Sequence, residues 1–150
     1  FAIPGLRLGF AVAPPDIAPA LRRALAPWSV NVLAQAVGIA ALADTGYVQV
    51  TRALVREERR RLAEELAALP GLRVFPGGAN YLLVKMREGA IDAHELARRL
   101  LQKGIAIRVC DDFDGLDGRY FRVAVRTAAE NARLIEETRL VLASRGAPLR

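Results

Sequence analysis

Cysteine is nearly absent: Cys110 is the single one in 150 residues. A lone thiol excludes an internal disulfide framework and any metal site made of several cysteines. Lysine is almost as scarce, with Lys85 and Lys103 set against a large excess of arginine. No apolar run approaches the ~18 residues that a membrane-spanning helix needs, so no membrane partner is expected. The opening residues have neither the charged start nor the apolar core of a secretory signal, and a cytoplasmic setting fits. There is no internal repeat and no low-complexity linker.

Alanine and leucine are abundant, and with 53% hydrophobic residues the chain can bury a real core. The net charge of +6 raises the question of a nucleic-acid partner. The basic residues, however, are interleaved with acids, as in Arg56-Glu57-Glu58-Arg59-Arg60-Arg61. Helical i,i+4 spacing sets Glu57 against Arg61 and Arg61 against Glu65. That pattern describes a solvated, ion-paired helix face, and no nucleic-acid partner is expected.

The punctuation of the chain predicts its elements. Pro4-Gly5 is read as a tight turn, with Gly5 free to take a positive φ, leading into a buried strand over residues 8–13. Pro14-Pro15 breaks that strand. A short helix over about 17–25 follows, with Asp16 as its N-cap, and Pro27 ends it. A second helix runs from Ser29 to about residue 42, and Thr45-Gly46 is a turn. A long amphipathic helix over about 47–69 places Val50, Leu54, Leu62, Leu66 and Leu69 on one stripe, and Pro70-Gly71 stops it. Strands are then predicted over 72–75, 80–85, 105–109 and 120–125. Helices are predicted over 92–102, capped by Asp92, and over 128–144, where Thr127 and Glu130 form a capping box. Residues 145–150 read as a polar tail. Alternating strands and helices give an α/β class, or α+β if the small sheet is antiparallel. The only place for a domain boundary is inside the long helix, near Val50.

Several residues are candidates for chemistry. Arg7, delivered by the Pro4-Gly5 turn, is either a solvated turn arginine or a phosphate clamp, its planar fork matching phosphate oxygens. Arg108 and Arg122 each interrupt an apolar strand. Tyr120, Arg122 and Ala124 share one face of theirs, and Phe121, Val123 and Val125 the other. A half-buried arginine needs an anion, which is either a structural carboxylate or a ligand. Asn31 follows a helix start, with Ser29 read as N-cap and Trp28 as a staple onto the core. Asn80 follows the Gly77-Gly78 turn, where it either satisfies local backbone groups or borders a site. His94, beside Asp92 and Glu95, is read as solvated, and Cys110 as a packed thiol. Asp111, Asp112 and Asp114 lack the glycine and terminal glutamate of an EF-hand, and no metal is expected.

The run Ala2-Ile3-Pro4-Gly5-Leu6-Arg7-Leu8-Gly9-Phe10 resembles the segment after the cofactor lysine in fold-type I pyridoxal-phosphate (PLP) enzymes of the class I/II aminotransferase family. There a Ser-x-x-Lys precedes a Gly-x-Arg, and Gly5-Leu6-Arg7 matches the second half. Pro27-Trp28-Ser29-Val30-Asn31 with Gln35, Gly78-Ala79-Asn80-Tyr81, Ile107-Arg108-Val109-Cys110 and Phe121-Arg122-Val123-Ala124-Val125-Arg126-Thr127 extend the resemblance over the whole chain. Within the family these motifs are most similar to the L-threonine-O-3-phosphate decarboxylase group. The neighbouring histidinol-phosphate aminotransferase group typically reads P-Y-N-V-N and L-R-I-T-V-G-T instead.

The resemblance implies the C-terminal end of a PLP-transferase large domain over residues 1–50. A long connecting helix and a small α/β C-terminal domain would follow over 51–150. It implies PLP as cofactor, with its phosphate bound by Arg7. It implies no catalytic residue within these 150: the Schiff-base lysine is expected upstream of Phe1, in a longer enzyme. Substrate contacts are implied for Arg122, to a carboxylate, and for Arg108, Asn31 and Asn80. The implied reaction turns L-threonine O-3-phosphate into (R)-1-amino-2-propanol O-phosphate for cobalamin biosynthesis, so the partner is a small phosphorylated amino acid and the assembly a homodimer. A histidinol-phosphate aminotransferase is the alternative, and a non-catalytic binding domain is the alternative outside the enzymes.

Overall fold

The computed structural model describes residues 1, 3–89 and 91–144; the tail expected over 145–150 lies outside them. Two compact units emerge, Phe1–Gln49 and Val50–Arg150. The strand and helix composition is mixed α/β.

In the first unit, Pro4–Leu6 forms a single 3-10 turn. Arg7, rather than Gly5, takes the left-handed conformation (φ 52°) and closes the turn, its N–H donating to the Pro4 carbonyl at 3.1 Å. The short helix needs a left-handed residue just past its end, and that is where Arg7 falls. The strand expected over 8–13 does not form, and Phe10 and Val12 stand exposed. A strand needs a neighbour for its main-chain groups, and no described residue of this unit supplies one. Helix α1 (Ala18–Ala24) is not capped by Asp16. The Pro14 carbonyl takes the N–H groups of Ile17 and Ala18 instead, each at 3.0 Å.

Helix α2 (Val32–Ala43) starts later than the sequence suggests. Its cap is Asn31, whose Oδ1 accepts from the Ala34 N–H at 2.9 Å. Trp28 is 97% exposed with φ 53°, so it staples nothing, and its left-handed backbone postpones the helix past Ser29. Thr45-Gly46 is not a turn but the first turn of α3 (Thr45–Ala67), capped by Asp44 through the Tyr47 N–H at 2.9 Å. Among the described residues of this unit only Ala34 is buried.

The second unit holds the core. Strands β1 (Leu72–Val74), β2 (Tyr81–Met86), β3 (Arg108–Val109) and β4 (Tyr120–Ala124) make one sheet in the order β1-β2-β4-β3. Every pairing is antiparallel, so the α+β branch of the expectation holds for this unit. Helices α4 (Ala93–Gln102) and α5 (Ala128–Ala143) and the later turns of α3 contribute to the same core as the sheet. Leu62 and Leu66 from α3, Leu96 and Leu100 from α4, and Leu134 and Ile135 from α5 meet Leu82, Val84, Phe121 and Val123 there. These sheet residues are alternate positions, as a pleated strand requires. Strand β3 is two residues rather than five, because Gly104 ends α4 at φ 73° and the Ile105 N–H turns back to the Leu100 carbonyl at 2.9 Å.

The caps foreseen in this half are present. Asp92 Oδ1 accepts from the Glu95 N–H at 2.8 Å, and Glu130 accepts from the Thr127 N–H at 3.2 Å in a capping box. On α3, Arg61 does pair with Glu65 at 2.8 Å, but Glu57 pairs with Arg60 at 2.7 Å instead of Arg61. Glu58 turns inward and accepts from Asn131 Nδ2 at 2.8 Å.

Phe121, the second residue of β4, is the largest fully buried side chain among the described residues, 1% exposed. Phe121→Ala is expected to cost about 3–5 kcal/mol of stability, read from urea unfolding of the purified protein. A loss below ~1 kcal/mol would mean that the core is organised around other residues.

Candidate functional site

The sheet has a second face, away from the core residues just named. Cross-strand register gives its composition. Arg108 stands opposite Arg122, which stands opposite Leu83; Tyr81 stands opposite Ala124; Arg73 stands opposite Lys85, which stands opposite Tyr120. This face is cationic, with two tyrosines, where the other is uncharged and apolar. Like charges in direct register are unfavourable, so the Arg108–Arg122 pair calls for an anion.

The two arginines answer that need differently. Arg108 is exposed and ion-paired with Asp112, in the loop just after β3. Arg122 is half-buried. Among the described residues it has no carboxylate partner and no side-chain hydrogen bond. Its guanidinium lies over the Tyr81 ring, 4.2 Å from the centroid. A structural carboxylate therefore accounts for Arg108 and not for Arg122, whose in-plane N–H donors remain open to a ligand.

The surroundings hold this face in place. Arg59 of α3 donates to the carbonyls of Gly78 and Ala79 at 2.9 and 3.0 Å, fixing the turn that leads through Asn80 into Tyr81. Asn80 is exposed, and its carbonyl accepts from the Val125 N–H at 2.9 Å. His94 is not merely solvated: its Nε2 lies 2.8 Å from Asp111 Oδ2, tying the start of α4 to the loop that carries Asp112. Asp111 and Asp112 are thus each engaged by a basic side chain of the same unit.

Arg7 and Asn31 belong to the first unit, Asn80, Arg108 and Arg122 to the second. Arg7 is exposed and makes one side-chain hydrogen bond, from Nη1 to the Pro4 carbonyl at 3.2 Å. Among the described residues it has no acidic partner. A guanidinium with most donors uncommitted fits a phosphate. Asn31 spends its carbonyl oxygen on capping α2, which leaves its amide N–H donors uncommitted among the described residues. The cavity of about 430 Å³ against α2 is lined by Phe1, Ile3, Leu8, Phe10, Val37 and Leu42, among others, and includes none of the candidate residues.

Sequence reasoning missed Arg59, Tyr81 and Asp112. Arg59 had a usable signal: it precedes Leu62 and Leu66 by three and seven residues, and so lies on the buried stripe of α3. Tyr81 is assigned to the face of Arg122 only by the register of two strands distant in sequence.

A sequence profile of aminotransferase class I and II matches residues 1–137. Threonine-phosphate decarboxylase from Salmonella typhimurium is 50% identical over 143 residues, covering 95% of this chain and 38% of that protein. The crystal structure of histidinol-phosphate aminotransferase from Clostridium acetobutylicum superposes with a TM-score of 0.85 at 31% identity, covering 95% of this chain and 43% of the other. That of L-threonine-O-3-phosphate decarboxylase from Porphyromonas gingivalis gives 0.80 at 28% identity, covering 96% and 44%. The chain therefore spans well under half the length of these relatives.

Cys110 lies beside the arginine pair, buried, with its thiol donating to the Arg108 carbonyl at 3.5 Å. Burial pushes its pKa up, against the opposing pull of Arg122 and Arg108. A raised thiol pKa leaves less thiolate at pH 8 than a free cysteine has. Iodoacetamide is therefore expected to alkylate native Cys110 much more slowly than the urea-unfolded protein at that pH. Equal rates would place the thiol at the surface.

Proposed function

Because the chain belongs to the aminotransferase class I and II family, we propose that it is the C-terminal portion of a PLP-dependent carboxy-lyase. The proposed reaction takes L-threonine O-3-phosphate to (R)-1-amino-2-propanol O-phosphate and carbon dioxide, in the cytoplasm, for cobalamin biosynthesis. The observation that carries this reading is the 50% identity to a threonine-phosphate decarboxylase over 95% of the chain.

Residues 1–50 are proposed as the end of the large cofactor domain and 51–150 as the connecting helix and small domain. An α2 that exposes Val32, Leu33, Ile39 and Leu42 is the kind of helix a larger core covers, which supports that assignment. The lysine that links PLP is proposed to lie upstream of Phe1, since neither Lys85 nor Lys103 sits in a Ser-x-x-Lys motif. PLP, when bound, supplies the electron sink for the bond broken at the substrate's Cα.

The residues of this chain are proposed to bind and orient. Arg7 would hold the cofactor phosphate with its uncommitted donors. Arg122 would grip the substrate carboxylate and Arg108 the substrate phosphate, exchanging Asp112 for the dianion. Two anions held opposite each other on one sheet face fix the pose of a substrate that carries both. Asn31 and Asn80 are proposed as further polar contacts to the substrate. The enzyme is proposed to act as a homodimer, with neither nucleic acid nor membrane as a partner.

A second reading, histidinol-phosphate aminotransferase, is favoured by the TM-score of 0.85 to such an enzyme. One preparation of the full-length protein separates the two. Carbon dioxide release from L-threonine phosphate is expected to exceed amino transfer between histidinol phosphate and 2-oxoglutarate. Efficient transamination without decarboxylation would select the second reading.

Arg7→Met in the full-length enzyme is expected to weaken PLP binding by about 1.5–3 kcal/mol, the worth of a hydrogen bond to a charged group. Absorbance titration of the apoenzyme measures it, and unchanged affinity would return Arg7 to a solvated turn.

A further inference from the structure

We propose that Tyr81 is a positioning residue for Arg122: its ring sets the plane of the guanidinium, so that the N–H fork stays open for a carboxylate. The inference rests on the proposed role of Arg122, and it names a residue that this role does not by itself require.

An arginine side chain has many rotamers, and one recruited to grip a ligand needs to be restrained beforehand. The usual restraint is a carboxylate, as Asp112 provides for Arg108. A carboxylate occupies the in-plane fork, however, and a ligand must then displace it. An aromatic ring acts differently. It attracts the cation through its π-face and covers the flat side of the guanidinium, leaving the in-plane donors unspent. Arg122 has the second kind of restraint, with its Cζ 4.2 Å from the Tyr81 centroid and no acidic partner among the described residues.

The ring stands on a fixed base. Tyr81 opposes Ala124, two residues along β4 from Arg122, so the two side chains are diagonal neighbours on one face. The turn ahead of Tyr81 is fastened by Arg59 to the Gly78 and Ala79 carbonyls. The Asn80 carbonyl is bonded to the Val125 N–H beyond the far end of β4. No side-chain hydrogen bond engages the Tyr81 hydroxyl among the described residues, so the ring alone carries the function.

The test uses the full-length holoenzyme and two ligands. L-threonine O-phosphate has a carboxylate; the product, (R)-1-amino-2-propanol O-phosphate, keeps the amine and phosphate but lacks it. Tyr81→Leu is expected to raise KM for the substrate about tenfold, within the range of a cation–π contact. The inhibition constant of the product is expected to stay within about twofold. Tyr81→Phe, which keeps the ring, is expected to restore KM to within about threefold of the parent. Three results overturn the proposal: an unchanged KM in Tyr81→Leu, an equal rise for substrate and product, or a Phe variant as impaired as the Leu variant. If the parent enzyme transaminates and does not decarboxylate, the proposed reaction fails separately. The same comparison is then made on KM for the carboxylate-bearing amino donor L-glutamate.

Discussion

Strand β4 is hydrogen-bonded on both edges, to β2 on one side and β3 on the other, and the alternation of its side chains divides the second unit in two. Phe121 and Val123 point into the aliphatic core with α3, α4 and α5 residues. Tyr120, Arg122 and Ala124 belong to the opposite face. A one-residue slip of register would exchange the two sets, burying a guanidinium and exposing a phenyl ring. Core and candidate site are thus fixed by the same hydrogen-bond ladder, and neither can shift without the other.

That coupling explains which parts of the molecule were legible beforehand. The parity of Tyr120, Arg122 and Ala124 follows from strand periodicity alone, and the caps at Asp92 and Thr127 follow from local chemistry. The strand assigned to residues 8–13 failed because an apolar run states a wish for burial and not who will satisfy it. Ser29 lost the cap of α2 to Asn31 because the left-handed backbone at Trp28 is invisible in composition. The direct opposition of Arg108 and Arg122 needed the register of two strands more than ten residues apart. Local rules carry no information at that range. The Tyr81 ring under Arg122 was hidden for the same reason, whereas Asp112, only four residues past Arg108, was hidden by the fold of the loop after β3 and not by distance.

The two units differ in how far their sequence accounts for their structure. In the second, aliphatic positions on three helices and two central strands converge on one core. The first buries Ala34 alone among its described residues and leaves Phe10, Val12, Val32, Leu33 and Ile39 exposed. Two helix starts in it are nevertheless capped by side chains, α2 by Asn31 and α3 by Asp44. Local capping and tertiary burial are separate requirements, and this unit meets the first without the second. The proposal that it belongs to a larger cofactor domain gives those apolar faces a destination.

The facing arginines make stability and recognition two aspects of one equilibrium. Before any ligand arrives, two cations confront each other from the adjacent strands β3 and β4, with Asp112 relieving only one of them. Any anion that settles on this face, and not on the unfolded chain, removes the repulsion and draws the population toward the folded state. At a hundred times its dissociation constant such an anion adds about 2.7 kcal/mol to stability. On the proposed roles of Arg108 and Arg122, the melting temperature of this protein would depend on its buffer as well as its sequence. Phosphate or sulfate would act as ligands there, and simple monovalent salt chiefly as a screen.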